Sequence, residues 1–170
     1  VHLDNAERGF SFSQNAPLDM RFDKSGGKKV SDYLNELSER EIERILRVYG
    51  QERFSKRIAK NIVKFRENSP IVNTFDLVNI INRSVLVNDK NKHNATRSFQ
   101  ALRIYVNKEL DVLRDILEKS HNILAPKGRL VLISYHSLEE RVIKDFLIYS
   151  DSNLSTPRKM PIKNDFMKKM

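Results

Sequence analysis

The sequence predicts an α/β chain in which a mostly helical, basic module leads into part of an open sheet. Three observations predict it. From residue 31 to 118, apolar residues recur at helical spacing. Leu130 to Ile133 then form a short continuous apolar run, as in a strand buried on both faces. Leu138, Val142, Ile143, Phe146 and Leu147 return to helical spacing. This helix–turn–strand–turn–helix order is the repeating unit of an α/β sheet. One strand cannot make a sheet, so its neighbours are expected before Val1 and the chain is expected to be a fragment.

Residues 1–30 read as irregular, ending in the turn signal Gly26-Gly27. Phe10, Phe12, Leu18, Met20 and Phe22 are too apolar for a disordered tail. Ser31 caps a short helix carrying Tyr33, Leu34 and Leu37. Ser38 and Glu41 form a capping box before Ile42, Ile45, Leu46 and Tyr49, and Gly50 stops that helix. A helix from about Gln51 to Asn68 ends before Pro70, with Phe54, Ile58, Ile62 and Phe65 facing inward. Asn73 or Thr74 caps the next, which carries Phe75, Val78 and Ile81. The longest helix starts near Ala95 and keeps one apolar stripe from Phe99 to Leu117. Ala125 to Gly128 is a turn. From Asp151 the chain is polar and basic.

The 170 residues carry 31 Lys and Arg against 22 Asp and Glu, a formal net charge of +9. Such a chain is expected to meet an acidic partner, nucleic acid before an anionic membrane surface. There is no Cys, which excludes disulfides, Cys zinc sites and thiol catalysis. No apolar run approaches the roughly 20 residues that span a bilayer. No signal-peptide pattern opens the chain, and the protein is expected in the cytoplasm.

Arg53, Lys56, Arg57, Lys60 and Lys64 fall on one face of their helix, with acidic residues only at its ends, Glu52 and Glu67. A single-signed stripe of this kind can track a phosphate backbone. The plain alternative is a solvated face. Lys90, Lys92, His93 and Arg97 cluster where a loop enters the long helix, whose free N–H groups suit an anion.

At Tyr135-His136-Ser137 the apolar run meets a helix. Ser137 to Glu140 reads as a capping box, which explains Ser137 structurally. His136 stands at the carboxyl end of the expected strand, where open sheets place ligands. A Ser hydrolase is unsupported, since neighbours in sequence cannot form a triad and no G-x-S-x-G elbow exists. His2, His93, His121 and His136 show no ligand spacing, so no metal is expected. The five glycines make neither a dinucleotide fingerprint nor a P-loop.

Five blocks carry a resemblance: LDNAERGFSF (3–12), APLDMRFD (16–23), YGQERFSKRIAKNIV (49–63), KHNATRSFQALRIYVNKEL (92–110) and LAPKGRLVLISYHSLEERVIKDFL (124–147). Together they closely resemble the bacterial ribosomal RNA small-subunit methyltransferase H family. The resemblance implies a Rossmann-like, S-adenosylmethionine-dependent methyltransferase domain with an inserted helical substrate-recognition domain. It implies methyl transfer to the 4-amino group of a cytidine in the decoding region of small-subunit rRNA. Residues 1–23 correspond to a segment crossing the methyltransferase cleft, 24–105 to the helical insertion, 106–150 to the return into the methyltransferase domain, and 151–170 to a basic mobile tail.

Cytosine's amine is a poor nucleophile, so such an enzyme must align it with the methyl sulfonium and draw the base from its stack. The resemblance makes Asp4, Arg8, Phe10 and His136 candidate catalytic residues, with Phe12 a further stacking surface. Arg53, Lys56, Arg57, Lys60, Lys64, Lys90, Lys92, His93 and Arg97 would contact rRNA or the small ribosomal subunit. His2 stands where the family usually has a cofactor-contacting Gln. Asn94 replaces the usual Pro after His93. The family's glycine motif and ribose-binding acid are not in this sequence. Two other readings stay open. One is an RNA-binding module without catalysis. The other is a partner-binding helical protein, with a homodimer among its outcomes.

Overall fold

The structure, a computed structural model, describes residues 6–86 and 93–151. A 3-10 turn at Ala6–Arg8 is followed by α1 (Val30–Glu36), α2 (Glu39–Gly50), α3 (Ser55–Arg66), α4 (Thr74–Ser84), α5 (Thr96–Asn107), α6 (Glu109–Ile123) and α7 (Ser137–Asp151). The chain divides into two compact units, Val1–Lys108 and Glu109–Met170. Among the described residues no helix is long and apolar enough to cross a membrane.

The expected α/β, Rossmann-like sheet is overturned: among the described residues the architecture is helical, with no strand or sheet. Pro17 and Asn73 make an isolated antiparallel bridge and nothing propagates from it. The physical reason lies in Leu130 to Ile133. A strand exists through hydrogen bonds to a neighbour, and no second extended segment lies beside this run among the described residues. Instead of being buried on both faces, Val131 is 82 % and Ile133 77 % exposed.

In the first unit, α2 lies against both α3 and α5, and α3 against α4. Ile42, Leu46, Ile58, Ile62, Ile81 and Leu102 are buried together in its core. Close approach of α2 and α5 depends on Gly50. A Cβ there would lie 2.5 Å from the Arg97 carbonyl oxygen and 3.0 Å from the Ala101 methyl. Gly50 is thus the last residue of α2 rather than its stop. The left-handed turn falls on Gln51 (φ 50°), and α3 begins only at Ser55.

The capping box at Ser38 is present: its N–H donates to Glu41 at 2.9 Å, and the Glu41 N–H donates to its Oγ at 3.3 Å. Asn73 is the N-cap of α4. Helix α1 starts earlier than expected. Lys29, not Ser31, is its N-cap, and its N–H donates to Asp32 at 2.8 Å.

The long helix is two helices. Lys108 takes a left-handed φ of 50°, which ends α5 before α6 begins. The stripe from Phe99 to Leu117 therefore serves two cores. Phe99 and Leu102 belong to the first, whereas in the second unit Leu110 and Leu117 are buried, as are Leu138 and Val142 of α7. The Ala125 turn forms as expected, its carbonyl accepting from the Gly128 N–H at 2.8 Å.

Candidate functional site

Between the 3-10 turn and α1 the chain is irregular yet firmly held. Asn107, at the end of α5, grips it from two sides. Its amide donates to the Met20 carbonyl at 2.7 Å, and its Oδ1 accepts from the Phe22 N–H at 2.7 Å. Met20 is fully buried with a φ of 61°, a conformation unfavourable for most residues. The Thr74 hydroxyl donates to the Gln14 carbonyl at 2.7 Å and accepts from the Ala16 N–H at 3.1 Å. Gly9 (φ 72°) sits so close to the returning strand of chain that a Cβ would lie 2.3 Å from the Pro17 carbonyl oxygen.

Arg8 donates to the carbonyls of Arg21 (2.7 Å) and Phe22 (2.8 Å), and its guanidinium lies 5.8 Å from the centre of the Phe10 ring. Phe10 stacks on Phe22 with ring centres 5.5 Å apart. Arg8 and Phe10 are thereby brought together, with Arg8 holding backbone. Asp19 and Arg21 form a two-pronged ion pair at 2.7 and 3.0 Å. Burial pushes the Asp19 carboxyl up, but the Arg21 hydrogen bonds and charge outweigh it and hold the group below its ordinary value. Asp4 and His2 lie outside the described residues.

The basic stripe is laid out on the surface. Lys56, Arg57, Lys60 and Lys64 are exposed on α3, and Arg53 is exposed in the turn before it. Among the described residues none of the five is ion-paired. Glu52, which could have offset them, is 6 % exposed and turns inward to accept the Phe54 N–H at 3.0 Å. The face therefore carries an exposed acid only at its far end, Glu67.

At the entry to α5, Lys90 and Lys92 lie outside the described residues. His93 is exposed and Arg97 half-buried. His93 itself takes two of the N–H groups at this helix end. Its Nδ1 accepts from Ala95 at 3.2 Å and its carbonyl from Thr96 at 3.0 Å. Its ring stacks on Phe12, centres 4.5 Å apart and 5° from parallel.

In the second unit, His136 is the residue before α7, and its Nδ1 accepts the Glu139 N–H at 3.3 Å. The Glu139 carboxylate accepts the Tyr135 N–H at 2.9 Å. The cap is thus His136, and Ser137 is the first helical residue, one position later than expected for a cap. Donor atoms of Glu109, His136 and Glu139 lie within 4.8 Å of one another, a grouping the sequence did not reveal. The other ring nitrogen, Nε2, lies 3.5 Å from the Glu139 carboxylate. Within this group His136 and Glu139 also serve the start of α7.

A family model of methylases matches residues 1–170 of the chain. The chain belongs to the MraW methylase family, the same family that the five sequence blocks resemble. Its members are S-adenosylmethionine-dependent methyltransferases. Among the described residues, Gly9 and Gly50 are closed to that cofactor. Gly9 and Gly50 use their missing Cβ to admit the chain's own backbone, and Gly26 and Gly27 offer their carbonyls to Arg21 at 3.0 and 2.9 Å.

Proposed function

We propose that the chain serves methyl transfer from S-adenosylmethionine to the 4-amino group of a cytidine in small-subunit rRNA, its first unit holding the RNA. The observation that supports this most is the unpaired basic face of Arg53, Lys56, Arg57, Lys60 and Lys64. Several cations spaced along one helix attract a polyanion and release its counterions. The segment carrying Arg8 and Phe10 would present the target base, and His136 would order the start of α7. This reading puts the chain in the cytoplasm with the ribosomal subunits. The test is methyl transfer from labelled S-adenosylmethionine to small subunits whose cytidines are unmethylated. Label recovered as N4-methylcytidine is the expected result, and label in another nucleoside would refute the target.

A second reading, an RNA-binding module without catalysis, is favoured by Gly9 and Gly50, whose missing Cβ atoms admit the chain's own backbone. It predicts RNA affinity with no transferred label.

A further inference from the structure

Phe99, Phe12 and His93 form a ladder of rings running from the core to the surface. Phe99 is buried. Phe12 meets it edge-on at 5.7 Å, and His93 stacks flat on Phe12 at 4.5 Å. His93, the outermost rung, is exposed. The ring is fixed in two further ways. Its Nδ1 accepts the Ala95 N–H and its carbonyl accepts the Thr96 N–H, so ring and backbone are both tied to the start of α5. Nδ1 is occupied as the acceptor of this bond, which leaves Nε2 as the ring's other polar atom.

A cationic His would be suited to phosphate. A flat ring, stacked on Phe12 and held at Nδ1, is suited to something else. We infer that His93 is a stacking platform for one nucleobase of a single-stranded RNA, an assignment that rests on the RNA reading above. Base–aromatic stacking tolerates any base and loses little entropy when the ring is held in place beforehand. Nε2 remains as a polar atom at the ring edge.

The chain has no Trp, so His93→Trp places a single indole at the platform. Titration with a single-stranded oligoribonucleotide should quench its fluorescence in step with binding followed by anisotropy of labelled RNA. His93→Phe should bind within about twofold of the parent with an unchanged salt slope, because no phosphate contact is lost. His93→Asn keeps a cap acceptor without a stack, and His93→Lys supplies charge without one. Both should bind on the order of tenfold more weakly, as stacking energies imply. Binding retained in Lys and lost in Phe would overturn the platform in favour of a phosphate contact. Equal binding by all four variants with no quenching would overturn it while leaving the RNA reading intact. Failure of the parent chain to bind RNA would remove both.

Discussion

Asn107 holds Met20 by its carbonyl at 2.7 Å while its own Oδ1 takes the N–H of Phe22 at the same distance. One side-chain amide thereby replaces the pairing that a sheet neighbour would supply. Asn107→Ala removes both bonds, and the first unit should lose about 1–3 kcal/mol of stability. Asn107→Asp keeps the acceptor and loses the donor, so it should fall between. Urea denaturation followed by circular dichroism reads both, and a loss under about 0.5 kcal/mol in the Ala variant would show that the clamp is dispensable.

Gly9 combines a left-handed φ with a closed space behind its Cα. Gly9→Ala should destabilise the chain by more than about 2 kcal/mol, from strain and from displaced Pro17 backbone. Gly26, with nothing within 4 Å of its built Cβ, is the control. Gly26→Ala should shift the urea midpoint by an amount equivalent to about 0.5 kcal/mol or less.

The Asp19 carboxyl lies below its ordinary value in the folded chain, because the Arg21 hydrogen bonds outweigh burial. A depressed acid stabilises the fold at pH above its unfolded value, near about 3.9, and that contribution is lost as pH falls through the folded value. Thermal midpoints should therefore drop on acidification below about pH 4. Asp19→Asn should cost about 1–3 kcal/mol at neutral pH and flatten this acid limb. An acid limb unchanged in the variant would place the dependence on other carboxyls.

The α3 face makes a prediction about salt. Replacing Lys56, Arg57 and Lys60 by Gln should reduce the slope of log affinity against log salt by about 2, near 0.7 per phosphate contact on a single strand. Because all three side chains are exposed, the thermal midpoint should stay put. An unchanged slope would move the RNA contact elsewhere.

Much of the helical unit was legible in the sequence, because its signals are local. The Ser38 capping box, the Asn73 cap and the inward Ile58 and Ile62 follow from residues three or four apart. Errors arose where a local pattern has two structural solutions. The stripe from Phe99 to Leu117 fits one long helix or two, and only the backbone at Lys108 decides. Leu130 to Ile133 fit a buried strand, but strand formation depends on a neighbour that no local pattern supplies. His136 is expected at a strand end, and the structure shows it accepting the Glu139 N–H at the start of α7. The double role of Asn107 was illegible, since an Asn on an amphipathic helix looks ordinary until its partners 85 and 87 residues away are known.

Those long separations also set the order of assembly. The segment from Gln14 to Phe22 is closed by bonds to residues 58, 60, 85 and 87 positions away. Contacts of such range form late, after local helices have paid the entropy of bringing distant chain together. The segment carrying the Arg8–Phe10–Phe22 surface is held by side chains of α4 and α5. A chain emerging from the ribosome exposes these rings unorganised until residue 107 has followed, which makes this surface a late product of synthesis and its integrity a report on the completeness of the unit.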